Sequence, residues 1–430
     1  MGAQIGMMLM GVVDTLMVSQ LSKEALGATA IANAWLFSIL WFGMGIIQGI
    51  DPLVSQAHGA KREDHALIAM KRGVVLGLLI CVPLIFCIAF TEEILLFLDQ
   101  EKQLTVLAEQ YLRVQIWSIP FFFLFIAFRQ YLQGREIVRP MLWIALIANV
   151  INAIANYVLI FGHFGFPSMG IEGAGIATAI TRCFMFFGLW FWIIKFKLMS
   201  GSWLPLQREI YQWSEFSKII RIGLPVATQI GFEILAFSSG TIIAGKLGVS
   251  FLAAHSITLN IASLAFMLPL GIAQGAATRV GNLIGARQFT HAKHAAWVAI
   301  IFGGLIMMIS AIIFVLMRYT LPDYYTNDVE VILICASILP IAAAFQIVDG
   351  IQVVCSGVLR GMGRPLPSTI AIIVAFWVIG LPLGYWTSIT LGYGIQALWW
   401  CLSLGLAIVA VVLTIWIYYR GPEFHAKQFE

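Results

Sequence analysis

The chain has 430 residues, 60% of them hydrophobic and only 11% charged, against about 45–50% and about 25% in soluble domains. A water-soluble core of that composition would leave almost no polar shell, so the composition argues against a soluble globular fold and for a bilayer as solvent. The formal charge of +4 is small and spread over loops, so there is no nucleic-acid footprint and no nucleic-acid partner is expected.

A spanning helix needs about 20 apolar residues. Breaking the chain at its charged and Gly/Pro-rich stretches predicts twelve of them, over 1–20, 28–52, 73–91, 104–128, 140–162, 172–194, 219–245, 251–276, 295–317, 331–357, 367–389 and 394–419. The opening run lacks a charged leading region and continues into polar residues instead of a cleavage site, so no signal peptide is expected. Lys and Arg test the map, because cytoplasmic loops carry their excess. Nineteen of the 25 fall in loops after even-numbered spans or in the tail, four in loops after odd spans, and Arg113 and Arg182 within spans. Both termini are therefore expected on the cytoplasmic side. Six cysteines (Cys81, Cys87, Cys183, Cys335, Cys355, Cys401) sit in apolar runs without CxxC spacing, which reads as packed thiols, not disulfides or metal ligands.

Sliding the chain against itself gives a gap-free match at an offset of 226, between 21–69 and 247–295. Identities include Leu21/Leu247, Gln48/Gln274, Gly49/Gly275, Gly59/Gly285 and His65/His291; chance apolar similarity would not align Gln, Gly and His together. A weaker echo, needing a small gap, pairs Gly134 with Gly361 and Arg139-Pro140 with Arg364-Pro365. The unit is six spans. Because six is even, the second copy enters the membrane from the same side, and the halves are predicted to relate by a pseudo-two-fold along the membrane normal. The expected fold is thus all-α and integral to the membrane. An amino-terminal six-helix lobe (1–194) and a carboxy-terminal one (219–419) flank a cytoplasmic linker (195–218), and a tail follows (420–430). The linker, with Trp203, Pro205, Trp213 and several charges, reads as amphipathic and surface-lying. Such an architecture suits a carrier with a site between its lobes and alternating access.

Three acids lie deep in spans: Asp14, Glu233 and Asp349. A charged Asp at a helix centre costs about 2.5–3.5 kcal/mol on insertion scales, so something must offset each. One reading is a structural hydrogen bond or ion pair, though only Arg113 and Arg182 are within reach of the spans for three carboxylates. The other is cation exchange, each carboxylate taking up a proton or Na⁺ and changing charge during a cycle; low dielectric favours the neutral form of a carboxyl in general. A proton entering down 100 mV releases about 2.3 kcal/mol, enough to drive export of another solute. Asn149, Asn152 and Asn156 recur at spacings that put Asn152 and Asn156 on one helix face, with Thr178 in the next span available to join them; an Asn ladder serves equally to bond neighbouring helices.

Other patterns carry less. Gly45-x-x-x-Gly49 and Gly271-x-x-x-Gly275 have helix-packing spacing. Gly173-Ala-Gly175 opens a span with no preceding strand, so a dinucleotide fingerprint fails. His291 and His294 have no acidic partners and give no zinc motif, and HExxH, GxSxG and phosphate-binding aspartate motifs are absent, so no enzyme and no cofactor are expected. Thirty Phe and fourteen Trp supply faces for organic cations, although most must pack or meet lipid.

Gly11-Val-Val-Asp14-Thr-Leu-Met, Pro52-Leu-Val-Ser-Gln-Ala-His-Gly59, Gly223-Leu-Pro-Val with Glu233, Ala277-Thr-Arg-Val-Gly-Asn-Leu-Ile-Gly285 and Asp349-Gly-Ile-Gln-Val-Val-Cys-Ser-Gly-Val-Leu-Arg-Gly361 together resemble the multidrug and toxic compound extrusion (MATE) family, most closely its NorM-type bacterial branch. The likeness runs in order over essentially the whole chain. It implies a twelve-helix, monomeric exporter in the bacterial inner membrane that exchanges Na⁺ or H⁺ for cationic amphiphilic drugs. It also implies an amino-lobe cation site at Asp14, Asn152, Asn156 and Thr178 and a carboxy-lobe acidic pair, Glu233 and Asp349. Phe345 stands where the branch often has a tyrosine, and the chain begins nearer Asp14 than family members usually do.

The expectation is therefore a secondary antiporter. A flippase for lipid-linked saccharides is the rival within transport, but a polyanionic cargo asks for a basic cluster that Arg113 and Arg182 alone do not make. A non-transport membrane receptor would leave the buried acids and the duplication unexplained.

Overall fold

The computed structural model describes residues 2–97, 100–198 and 212–426. Among the described residues every regular element is helical. Eleven runs are long and apolar enough to cross a membrane, from Glu24–Gly59 to Gly394–Phe424; the first expected span is the shorter α1 (Gly2–Val18). The helices overrun the hydropathy boundaries. The third begins at Glu63, not 73, the eighth ends at Gly285, not 276, because hydropathy marks the lipid-immersed part of a helix while its hydrogen-bonded ladder continues into the polar zone.

After α1 come α2 (Lys23–Ile47), a 3₁₀ turn at Gln48–Ile50, α3 (Asp51–Gly59), α4 (Glu63–Ala89), α5 (Thr91–Phe97), α6 (Lys102–Arg113), α7 (Ile119–Gly134), α8 (Arg139–Phe161) and α9 (Gly170–Lys195). Ser22 caps α2 by accepting from Ala25 N at 3.0 Å, and Pro140 opens α8 where its missing N–H costs nothing. The second half holds α10 (Trp213–Leu247), α11 (Val249–Gly285), α12 (Phe289–Leu316), α13 (Thr320–Asp323) and α14 (Val329–Gly361). Then follow α15 (Leu366–Ile372), α16 (Leu381–Tyr385), α17 (Gly394–Arg420) and α18 (Pro422–Ala426). The span expected at 367–389 alternates α and π turns, the π segments being Ile373–Gly380 and Trp386–Thr390.

The repeat is written into the helix ends. α2 and α11 begin at Lys23 and Val249, α3 and α11 end at Gly59 and Gly285, and α4 and α12 begin at Glu63 and Phe289; each pair lies at the same 226-residue offset.

The chain forms two compact units. One comprises residues 2–50 and 62–223, in which α8 packs on α1 and α9, α4 on α7, and α2 on α6. The other comprises 51–61 and the chain from Leu224 onward, with α14 at its centre against α11, α12 and α17. These limits differ from those drawn on hydropathy at 194 and 219. The eleven residues carrying α3 follow the second unit because α3 lies along α11 and touches α14, and the start of α10 follows the first. Most of the expected linker, including Trp203 and Pro205, lies outside the described residues; Trp213 already begins α10.

Glycine explains the α3–α11 contact. A Cβ on Gly59 would overlap the Asn282 carbonyl, and one on Gly285 would overlap the Gln56 carbonyl. Gly59 and Gly285 are repeat counterparts, and so are Gln56 and Asn282, so two equivalent segments meet reciprocally about a local two-fold. Gly49 is similarly tight, its Cβ direction blocked by the Ile219 carbonyl, but its counterpart Gly275 faces open space. The packing role expected of both therefore holds for Gly49 only.

Several arginines expected in loops lie inside helices: Arg72 in α4, Arg129 in α7, Arg221 in α10, Arg279 in α11 and Arg360 in α14, Arg129 only 6% exposed. Arg113, expected within a span, lies in the continuous run Lys102–Gly134 and is exposed at the end of α6. All six cysteines are free thiols.

Candidate functional site

The first site is assembled from α1, α8 and α9, which pack on one another. Asp14 on α1 is 6% exposed, Asn152 and Asn156 on α8 are fully buried, and Thr178 on α9 is 6% exposed. Asn156 Nδ2 donates to Asp14 Oδ1 at 2.5 Å and to Asn152 Oδ1 at 3.3 Å. Thr178 Oγ1 lies 3.2 Å from Asp14 Oδ2 and 3.1 Å from the Ala174 carbonyl, so its one hydrogen serves either acceptor. Three residues, up to 164 positions away in sequence, thus gather at the Asp14 carboxylate. Asn149, the third member of the ladder, turns its amide nitrogen back to Ala145 O at 2.8 Å.

A second layer surrounds the carboxylate, of which the sequence marked only Arg182. Arg182, also 6% exposed, lies within electrostatic reach of Asp14 but is not ion-paired with it. Its Nη1 donates to Ser118 Oγ at 3.3 Å and its guanidinium sits 5.6 Å from the Phe122 ring, a cation–π arrangement that holds the charge away from the acid. Tyr111, 1% exposed, donates to Asn33 Oδ1 at 3.3 Å.

Chemically, Asp14 is therefore a buried carboxylate held by neutral donors, with a positive charge nearby but not neutralising it. Asn156 Oδ1, the other end of the amide that donates to Asp14, is buried without a hydrogen-bond partner among the described residues. Oxygen donors of this kind suit a hard cation such as Na⁺, and a carboxylate of this kind suits a proton. The arrangement can load and unload a monovalent cation with a net change of buried charge.

Glu233 on α10 and Asp349 on α14 belong to the other unit. Asp349 is 5% exposed and the charge acting on it is that of Glu233. This is a pair of like charges, unlike the amide-clamped Asp14. Phe345, one turn before Asp349, is 3% exposed and packs edge-on against Phe237 at 5.9 Å and Trp399 at 5.7 Å. Its position is one of aromatic packing.

Two further polar features were missed by spacing. His255 is fully buried, with Nε2 3.3 Å from Thr241 Oγ1 and its ring edge-on to Trp399 at 5.5 Å. Asp51, 1% exposed, pairs with Arg360 Nε at 3.5 Å. Here a signal did exist, because Asp51 falls inside the expected span 28–52.

Comparison with known proteins follows the same outline. The MatE family model matches residues 1–158 and 225–386. The chain is 32% identical over 431 residues to a probable multidrug resistance protein NorM of Rhizobium meliloti (strain 1021), covering 97% of this chain and 91% of that protein. It is 32% identical over 434 residues to the multidrug resistance protein NorM of Aliivibrio fischeri, covering 98% and 92%. Among solved structures it resembles the eukaryotic MATE transporter AtDTX14, with TM-score 0.89, 21% identity and coverage of 99% and 95%. A second is MATE in the bent conformation, with TM-score 0.88, 18% identity and coverage of 100% and 95%. At these identities the structures speak for the fold.

Proposed function

The chain belongs to the MatE family of membrane transporters, and from that premise we propose that it is a multidrug efflux antiporter in which a cation, Na⁺ or H⁺, enters as a drug leaves. Efflux of several drugs is supported by the NorM multidrug resistance relatives, which it matches over nearly its whole length. Cation coupling is supported by one observation above the rest: Asp14 is buried, clamped by Asn156 and Thr178, and not ion-paired. A carboxylate so placed changes its charge when it takes up a cation, and a ligand shifts a conformational equilibrium only by its differential affinity for the two states. Asp14, Asn152, Asn156 and Thr178 form the coupling site in this reading, with Glu233 and Asp349 as a second cation-sensitive pair.

The cargo is a small, cationic and amphiphilic organic molecule, and the protein works as a monomer in the bacterial inner membrane. Both termini are cytoplasmic in this reading, as the distribution of Lys and Arg favours.

Reconstituted into liposomes, the protein should export ethidium in response to an imposed Na⁺ gradient or an imposed pH gradient, applied separately at zero net potential. Whichever gradient works names the ion. Transport insensitive to both would remove the antiport reading while leaving membership of the family untouched.

A further inference from the structure

Arg182 is a buried cation that no acid neutralises by contact. It is 6% exposed, and among the described residues it has one hydrogen bond, from Nη1 to Ser118 Oγ at 3.3 Å, and no ion pair. A guanidinium carries five donors, so its protein partners use little of its capacity. The Ser118 hydroxyl donates to the Gln115 carbonyl at 2.7 Å, which leaves its lone pairs for the guanidinium, and the Phe122 ring faces the same cation at 5.6 Å. Ser118 stands at the amino end of α7, the end at which a helix dipole disfavours positive charge. A charge kept in such a place costs stability instead of adding to it.

The same helix carries part of the cation site. Thr178, whose Oγ1 lies 3.2 Å from Asp14 Oδ2, comes four residues before Arg182 on α9, so the two side chains are neighbours one turn apart. The cation acting on Asp14 is Arg182, and the groups acting in turn on Arg182 are Tyr111, Asp14 and Cys183. A positive charge at that range opposes the entry of a second one, and in contact with the carboxylate it would take the second one's place. Ser118 and Phe122 hold Arg182 between those limits. An exchanger needs the middle setting, because its site must bind well enough to load and weakly enough to unload.

We propose that Arg182, anchored on Ser118 and Phe122, is the fixed charge that sets how tightly the Asp14 site holds its coupling cation. It is a positioning residue, acting through Asp14 without touching drug or cation. The proposal rests on the reading of Asp14 as the coupling site and adds to it a means of release.

The test is displacement of ethidium from the purified, full-length protein, followed by fluorescence, on titration with Na⁺ at fixed pH and separately with acid at fixed Na⁺. Export from liposomes is measured beside it. Removing the charge and loosening its anchor act in opposite directions. Arg182→Gln should lower the half-displacing cation concentration by about tenfold, the low end of what a neighbouring opposite charge does to a carboxylate, and should slow maximal export because release then limits turnover. Arg182→Lys should fall between the two. Ser118→Ala, which frees the guanidinium to close on Asp14, should raise the half-displacing concentration by about threefold, the contribution of one ordinary hydrogen bond. Arg113→Gln, at an exposed position ending α6, should change neither. Equal values in the parent, Arg182→Gln and Ser118→Ala overturn the proposal, and so does a shift of both variants in one direction, which a loosened fold would give. If Arg182→Gln does not fold, the sign of the shift in Ser118→Ala decides. Ethidium that neither titrant displaces from the parent removes the antiport reading and this proposal together, whereas normal displacement from the parent with unmoved variants removes this proposal alone.

Discussion

Asn156 donates a 2.5 Å hydrogen bond to Asp14 across 142 residues of sequence, and Arg182, the cation that acts on the acid, bonds Ser118 instead. Asp14→Asn keeps the shape and removes the titratable charge. It should reach the membrane at parental abundance and lose at least about tenfold in drug efflux, since one charge-assisted bond to a buried group amounts to about 1.5–3 kcal/mol. Asn156→Leu should lose a comparable part of the activity by leaving the carboxylate half-clamped. Ethidium efflux from intact cells, normalised to membrane protein, reads both, and an Asp14→Asn strain as resistant as the parent would contradict the assignment.

Glu233 and Asp349 present a different electrostatic situation, two acids of which one acts on the other as a like charge. Replacing either by its amide removes repulsion, so Glu233→Gln and Asp349→Asn should unfold at or above the parental temperature even as cation-driven transport falls. Differential scanning fluorimetry alongside liposome transport separates the two effects. A fall in melting temperature for both variants would mean the pair is structural.

Asp51 and Arg360 form a buried ion pair at 3.5 Å, and Gln56 Nε2 adds a bond to Gly361 O at 3.0 Å beside it. Removing one partner of a buried pair strands the other charge, so Asp51→Asn or Arg360→Met alone should destabilise by about 3–5 kcal/mol. The double variant Asp51→Leu/Arg360→Met should recover most of that. Denaturant unfolding of the purified protein provides the cycle, and additive losses in the double variant would argue against a pair.

Gly49 and Gly275 occupy the same repeat position yet should respond differently to alanine. Gly49→Ala forces a methyl into the Ile219 carbonyl and should lower the unfolding temperature markedly. Gly275→Ala meets open space and should be neutral or gain up to about 1 kcal/mol from helix propensity. Equal losses at both sites would show that the contact at Gly49 is not what sets the cost.

Hydropathy suffices for the number and order of the helices because a spanning helix satisfies its own backbone and leaves a run of apolar side chains. The gathering of Asn152, Asn156 and Thr178 at Asp14 was expected from the family resemblance; the residues alone offered them as polar neighbours for a buried acid or, equally, as a ladder between helices, because spacing fixes which face a side chain shares and not which carboxylate it meets. What spacing missed were residues whose partners lie far away in sequence. Arg360 looks like a loop arginine until Asp51 is brought to it, and Asn149 looks like a third ligand until its rotamer returns it to Ala145. The limits of the packed units were hidden for the same reason, since α3 leaves its own repeat for α11, and no composition shift marks that departure.

The placement of α3 has a practical corollary for anyone dissecting this transporter. A cut within 195–218 does not yield two self-sufficient halves, because the carboxy-terminal fragment lacks the eleven residues that seal the end of α11, and the amino-terminal fragment carries them with nothing to lean on. Co-expressed halves should reassociate and resist protease, whereas either fragment produced alone should be degraded.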